Sequence, residues 1–182
     1  MALSRLGRLF GRAASDPPAA AAEPGGEEGL ESLAEEPRET VPPPAPVEDG
    51  YGYRDRYYTS ADGLRLHVAD YASPGSPWLP VVCLPGLSRS VRDFDDLARH
   101  LSTHPERPRR VIAFDLRGRG LSEWDTDQAH YTPIVEMQDV LDGMAALAVG
   151  RAIVVGTSRG GLIAMLMGVA RPSALAAVVL ND

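Results

Sequence analysis

The stretch 156–161, GTSRGG, holds one serine among glycines, directly behind the apolar run AIVV and directly ahead of LIAMLMGVA. A serine set on a sharp turn between a strand and a helix projects its hydroxyl away from the backbone. Glycines at Gly156 and Gly160 would then remove side chains that collide with the neighbouring strand or helix. The spacing fits G-x-S-x-G, the pattern of a serine that attacks a carbonyl carbon. A helix starting behind Ser158 would add partial positive charge, which favours an oxyanion nearby. The competing reading is a phosphate cradle, because Gly-rich strand-to-helix turns also bind phosphate. Neither G-x-G-x-x-G nor G-x-x-x-x-G-K-[ST] occurs in the chain, so the nucleophile is preferred.

Such a serine needs elements to hold it. RYYTS, the turn ADG and LRLHVADY (56–71) read as a β-hairpin, with Leu64, Leu66 and Val68 alternating inward and His67 outward. PVVCL (80–84), RVIAF (110–114), AIVV (152–155) and LAAVVL (175–180) are short continuous apolar runs, the pattern of strands covered on both faces. Between them lie two amphipathic helices. One is expected from Ser90, as its side-chain cap, to about His104, burying Val91, Phe94, Leu97, Ala98 and Leu101. The other is capped by Thr132, with Pro133 in its first turn and Ile134, Met137, Val140, Leu141, Met144 and Leu147 along one side. Strands alternating with helices predict an α/β fold: a mostly parallel sheet with helices on both faces, entered through an antiparallel hairpin. In such a sheet, ligands bind at the carboxyl ends of the strands, where PGLSRS, DLRGRGLSE and GTSRGG gather.

Charge divides the 182 residues unevenly. Residues 1–12 carry +3, residues 13–50 carry −9, and the rest is nearly neutral at −1. A nucleic-acid binder needs a basic face, and the chain has none to offer. All eighteen basic residues are arginine, which points to a GC-rich and most simply bacterial coding sequence. Residues 14–48 are rich in Pro, Ala, Gly and Glu and are expected to be a disordered linker, so residues 1–50 are separated from a domain at 51–182. Residues 1–12 space Leu3, Leu6 and Phe10 helically among arginines. That suits a membrane surface or a transit peptide, although an ordinary unstructured start is preferred. The lone Cys83 cannot form an internal disulfide, so a reducing, cytoplasmic setting is the default.

Taken in order, LPGLSRSVRDFDDLA, VIAFDLRGRGLSE, AIVVGTSRGGLIAMLMG and AVVLND resemble the first half of an α/β-hydrolase fold domain. The resemblance implies a strand order of 1-2-4-3-5-6 and a serine hydrolase of carboxylic esters, lactones or related acyl bonds, with a small-molecule substrate and neither cofactor nor metal. Ser158 would be the nucleophile, and the backbone N–H groups of Arg159 and Leu87 would receive the oxyanion. Asp115, Arg117, Gly118 and Gly120 would shape a loop, with Asp115 accepting backbone N–H bonds. The Arg159 side chain is read as an ion-pair partner in preference to a substrate-steering group, and Met165 and Met167 as core filling. Haloalkane dehalogenases and epoxide hydrolases of this fold carry Asp where Ser158 stands, which disfavours their chemistry.

The resemblance also shows a gap. Triad order in this fold is serine, acid, histidine, and no histidine follows Ser158. His67, His100, His104 and His130 are all read as surface or packing residues, with only His130 able to approach the cleft. Asp182 sits where some members place the triad acid, but a turn residue is the preferred reading. The strand at 175–180 would be an apolar edge without its next neighbour. From the sequence we therefore expect a fragment of a hydrolase lacking its histidine. The rival is a catalytically silent fragment or binding module that needs a complementary chain.

Overall fold

The computed structural model describes residues 52–181. The expectations for residues 1–50 and for Asp182 lie outside the described residues. Six strands form one mixed sheet in the order β1-β2-β4-β3-β5-β6, as the resemblance implied. β1 (Arg54–Thr59) and β2 (Arg65–Tyr71) make the antiparallel hairpin, and β2 also pairs antiparallel with β4 (Val111–Phe114). β3 (Val81–Leu84) runs parallel to β4 and to β5 (Ala152–Thr157), and β6 (Leu175–Asn181) runs parallel to β5.

Alternation along the strands divides the core in two. Leu66, Val68, Val82, Leu84, Ile112, Phe114 and Val154 point to one face, beneath α2 (Pro133–Ala146) and α3 (Arg159–Ala170), which supply Met137, Val140, Met144, Ile163 and Met167. Ala69, Tyr71, Val81, Cys83, Val111 and Ala113 point to the other face. There they meet Val91, Phe94 and Ala98 from a 3-10 turn at Val91–Phe94 and from α1 (Asp95–Ser102). Helices therefore cover both faces. Burial of Cys83 pushes its thiol up to about 12.

Several residues depart from expectation, each for a physical reason. β2 is an interior strand, so its second face is covered too and His67 is fully buried. Its Nδ1 meets Asp115 Oδ2 and its Nε2 meets Asp55 Oδ1, each at 2.8 Å. Ser90 makes no side-chain cap. Asp115 takes that duty, its Oδ1 accepting the Val91 N–H at 2.9 Å from across the sheet edge. Leu97, Ile134 and Met165 are exposed, because only part of each helix circumference meets the sheet. Met167 does fill the core. Thr132 caps α2 through the Val135 N–H, with Pro133 in the first turn. β6 has the apolar run of a buried strand, yet Val178, Val179 and Leu180 are exposed.

Candidate active site

Ser158 joins β5 to α3 with φ 48° and ψ −105°. L-residues avoid this region, and holding one there costs about 1–3 kcal/mol. The surroundings over-determine it. The Ser158 N–H donates to Asn181 O at 3.0 Å, and its carbonyl accepts the N–H groups of Gly161 (2.9 Å) and Leu162 (3.2 Å). A Cβ on Gly156 would stand 2.5 Å from the Gly160 carbonyl oxygen, and one on Gly160 would stand 2.1 Å from the Leu84 carbonyl oxygen. Only glycine lets α3 approach β3 and β5 so closely, and that approach forces the sharp turn. The serine side chain is left exposed at the carboxyl edge of the sheet, at the positive end of a 12-residue helix.

The loop after β3 passes beside it. A Cβ on Gly86 would come 3.9 Å from the Ser158 Cβ, so Gly86 and Leu87 border the same cleft as Ser158 and Arg159. Neither the Leu87 nor the Arg159 N–H donates to a backbone carbonyl among the described residues. A cavity of about 670 Å³ opens beside this loop, lined by Leu87, Arg119, Gly120, Trp124 and Tyr131 among others. It has the size and apolar character of a small-molecule pocket.

Asp115 fixes the next loop. Its Oδ2 accepts the Leu121 N–H at 3.0 Å while Oδ1 holds Val91. Gly120 is required beside it, since a Cβ there would overlap the carboxylate. Arg117 is buried and bidentate to Asp139, and its NH1 also donates to Asp62 and Asp125. Those bonds hold the guanidinium in its charged form, and burial raises Asp139 above the ordinary carboxylate range. The cluster is structural, as the sequence suggested.

The Arg159 guanidinium is bonded to α2 and to the residue that precedes its cap. Its Nε donates to the fully buried Glu136 Oε2 at 2.6 Å and its NH2 to Tyr131 O at 2.9 Å, so it is an ion-pair partner. Glu136 lies in the first turn of α2, and sequence reasoning missed it. Its charged neighbours are 17 and 23 residues away, and only the apolar stripe around it was visible.

None of the four imidazoles is hydrogen-bonded to Ser158. His67 is held between Asp55 and Asp115. His104 Nδ1 accepts the Glu106 and Arg107 N–H groups, and its ring packs edge-on to His100. His130 Nδ1 bonds Asp125 at 2.7 Å. Asp62, Asp125 and His130 could together surround a metal ion. The Arg117 guanidinium already bonds both carboxylates and supplies the positive charge.

Comparisons with known proteins agree with this geometry. The family model described as alpha/beta hydrolase fold matches residues 80–182. A 3-hydroxybutyrate-oligomer hydrolase from Cupriavidus necator is 37% identical over 119 residues, covering 64% of this chain and 39% of that protein. Lipase LipV from Mycobacterium tuberculosis is 35% identical, with 65% and 42% covered. Among solved structures, an alpha/beta hydrolase from Novosphingobium aromaticivorans superposes with a TM-score of 0.65 at 44% identity, covering 72% of this chain and 44% of that one. An epoxide hydrolase from Vigna radiata superposes at 0.63 with 23% identity, covering 72% and 38%, a likeness of fold alone. The chain spans about two-fifths of the length of these relatives. With the sheet order, the turn at Ser158 and the match over more than half of its residues in hand, the chain belongs to the α/β-hydrolase fold family.

Proposed function

We propose that the chain contributes the nucleophile and the oxyanion hole for hydrolysis of carboxylic ester, lactone or related acyl bonds in a small-molecule substrate. The observation that carries this is the conformation of Ser158, a strained serine wedged between two irreplaceable glycines at the head of a helix. Strain of this kind persists where function requires it. The Ser158 Oγ attacks the substrate carbonyl carbon, its proton passing to a base, and the carbonyl π pair moves onto oxygen. The Leu87 and Arg159 N–H groups receive that charge. Collapse expels the alcohol and leaves an acyl-serine, which water converts to the acid and free Ser158. The names of the two enzyme relatives, an oligomer hydrolase and a lipase, favour ester bonds. Serine at the elbow argues against epoxide opening, which in this fold uses aspartate there.

The base is assigned to none of His67, His100, His104 or His130, all of which are engaged elsewhere or have no hydrogen bond to Ser158. That observation supports a second reading, a silent module completed by another chain. A competent hydrolase turns over p-nitrophenyl butyrate and is labelled at Ser158 by a fluorophosphonate, both lost in Ser158→Ala; that outcome requires a base other than these four imidazoles as they stand. Folded protein that shows neither overturns the hydrolase reading for this chain and favours the silent module.

A further inference from the structure

Glu136 stands between two arginines, and each is tied to one of the two residues whose N–H groups the proposed function assigns to the oxyanion. On one side, Arg159 is the residue after the serine. Its guanidinium is pinned at two points, by Glu136 Oε2 at 2.6 Å and by Tyr131 O at 2.9 Å. On the other side, Arg119 donates from Nε to the Leu87 carbonyl at 2.8 Å and from NH1 to the Arg117 carbonyl at 2.6 Å. The same NH1 lies 3.6 Å from Glu136 Oε1. Leu87 lies in a turn beyond the end of β3, where the Gly86 carbonyl accepts the Arg89 N–H at 3.1 Å and the Leu87 carbonyl accepts from Arg119, so side-chain and turn bonds rather than the sheet hold it.

We propose, resting on the reading of Ser158 as a nucleophile, that Glu136 is a positioning residue. By attracting Arg119 and Arg159 together, it sets the separation and aim of the Leu87 and Arg159 amides. Packing alone does not account for it. A fully buried carboxylate carries a desolvation penalty that an apolar side chain of similar volume would avoid. Moreover, Glu136 Oε1 has no hydrogen bond of its own and interacts only through charge with Arg119. A carboxylate set between two arginines, one bonded to the Leu87 carbonyl and the other being Arg159 itself, acts on the distance between those two segments. Oxyanion donors work only when held within tenths of an ångström of their target, which gives such a device its value.

The test uses the full chain with Glu136→Gln, which keeps volume and one acceptor but removes the charge, and with Arg119→Gln, which releases Leu87 alone. In Glu136→Gln, backbone order parameters from 15N relaxation should fall at both Leu87 and Arg159, from a rigid value of about 0.85 toward about 0.6. Residues in β3 and β5 should stay rigid. In Arg119→Gln, only Leu87 should loosen. The rate of fluorophosphonate labelling at Ser158 should drop about tenfold in both, a part of the loss seen when one oxyanion donor is removed outright. Arg99→Ala, which breaks the ion pair with Asp95 on the far side of α1, should change neither readout. Order parameters unchanged at both residues in Glu136→Gln, with the protein folded, overturn the positioning role. If wild-type protein takes no label, the nucleophile reading falls, while the order parameters still decide whether Glu136 holds the two amides.

Discussion

Gly160 is packed against Leu84 so closely that a Cβ on it would stand 2.1 Å from the Leu84 carbonyl oxygen. Backbone on both sides leaves nothing flexible to give way. Gly160→Ala should therefore cost about 3 kcal/mol or more, at the severe end for overpacking. A lowered urea midpoint at an unchanged m-value checks this. Gly75→Ala meets open space at a positive-φ turn and should cost clearly less.

Ser158 stores strain that glycine would not feel. Ser158→Gly should stabilise the fold by about 1 kcal/mol, the released backbone strain less the extra entropy of glycine in the unfolded chain. Ser158→Ala keeps the Cβ and should leave stability nearly unchanged. Equilibrium unfolding of the two variants side by side distinguishes backbone strain from loss of the hydroxyl.

Asp115 serves four partners. It accepts the Val91 and Leu121 N–H groups and meets His67 Nδ1, while its own carbonyl accepts the Ser122 hydroxyl at 2.7 Å. Asp115→Ala strips only the carboxylate and leaves a buried imidazole and two amides without it. The expected loss is about 3–5 kcal/mol, the scale for breaking one side of a buried ionic network. Urea denaturation measures it, and a loss below about 1 kcal/mol would show that water replaces the carboxylate.

Cys83 should be silent toward thiol reagents. With its thiol pushed up to about 12, the thiolate at pH 8 is on the order of one part in ten thousand. Ellman's reagent should react with native protein at least a hundredfold more slowly than with the unfolded chain, by the same thiolate argument. Comparable rates would mean that β3 opens readily.

The His130–Asp125 pair predicts a pH dependence. The hydrogen bond to Asp125 raises His130 above its usual 6.5. The Asp127 N–H and then His130 lower Asp125 below its usual 3.8. The stabilisation from His130 is complete below 6.5 and fades as pH rises through the raised value. That from Asp125 is complete above 3.8 and fades as pH falls through the lowered one. The stability difference between wild type and His130→Asn should thus be largest between these limits and smaller at pH 8.5 than at pH 5.5. A constant difference in urea midpoint would remove the pair from the account.

The fold was legible because strands covered on both faces must be apolar throughout, and the intervening helices show their buried stripes. The turn at Ser158 was legible because only glycines permit it. The burial of His67 is hidden in the sequence, since the alternation in β2 marks two faces without saying that both are covered. Leu97, Ile134 and Met165 read as core but are exposed for the matching reason, that a helix can be apolar beyond the arc that meets the sheet. Ser90 reads as a cap from its neighbours, whereas Asp115, which serves the Val91 amide, is 24 residues away from it. Glu136 escaped notice on the same ground. Polar partnerships made across the fold leave no periodic mark.

Leu84 lies directly opposite Gly156 in the parallel ladder that joins β3 to β5. The two walls of the cleft grow from the ends of these neighbouring strands, so the ladder acts as their gauge. A slip of one rung would carry Leu87 about 3.3 Å away from Ser158. Native pairing and a correctly spaced cleft should therefore arise in a single event as the chain folds.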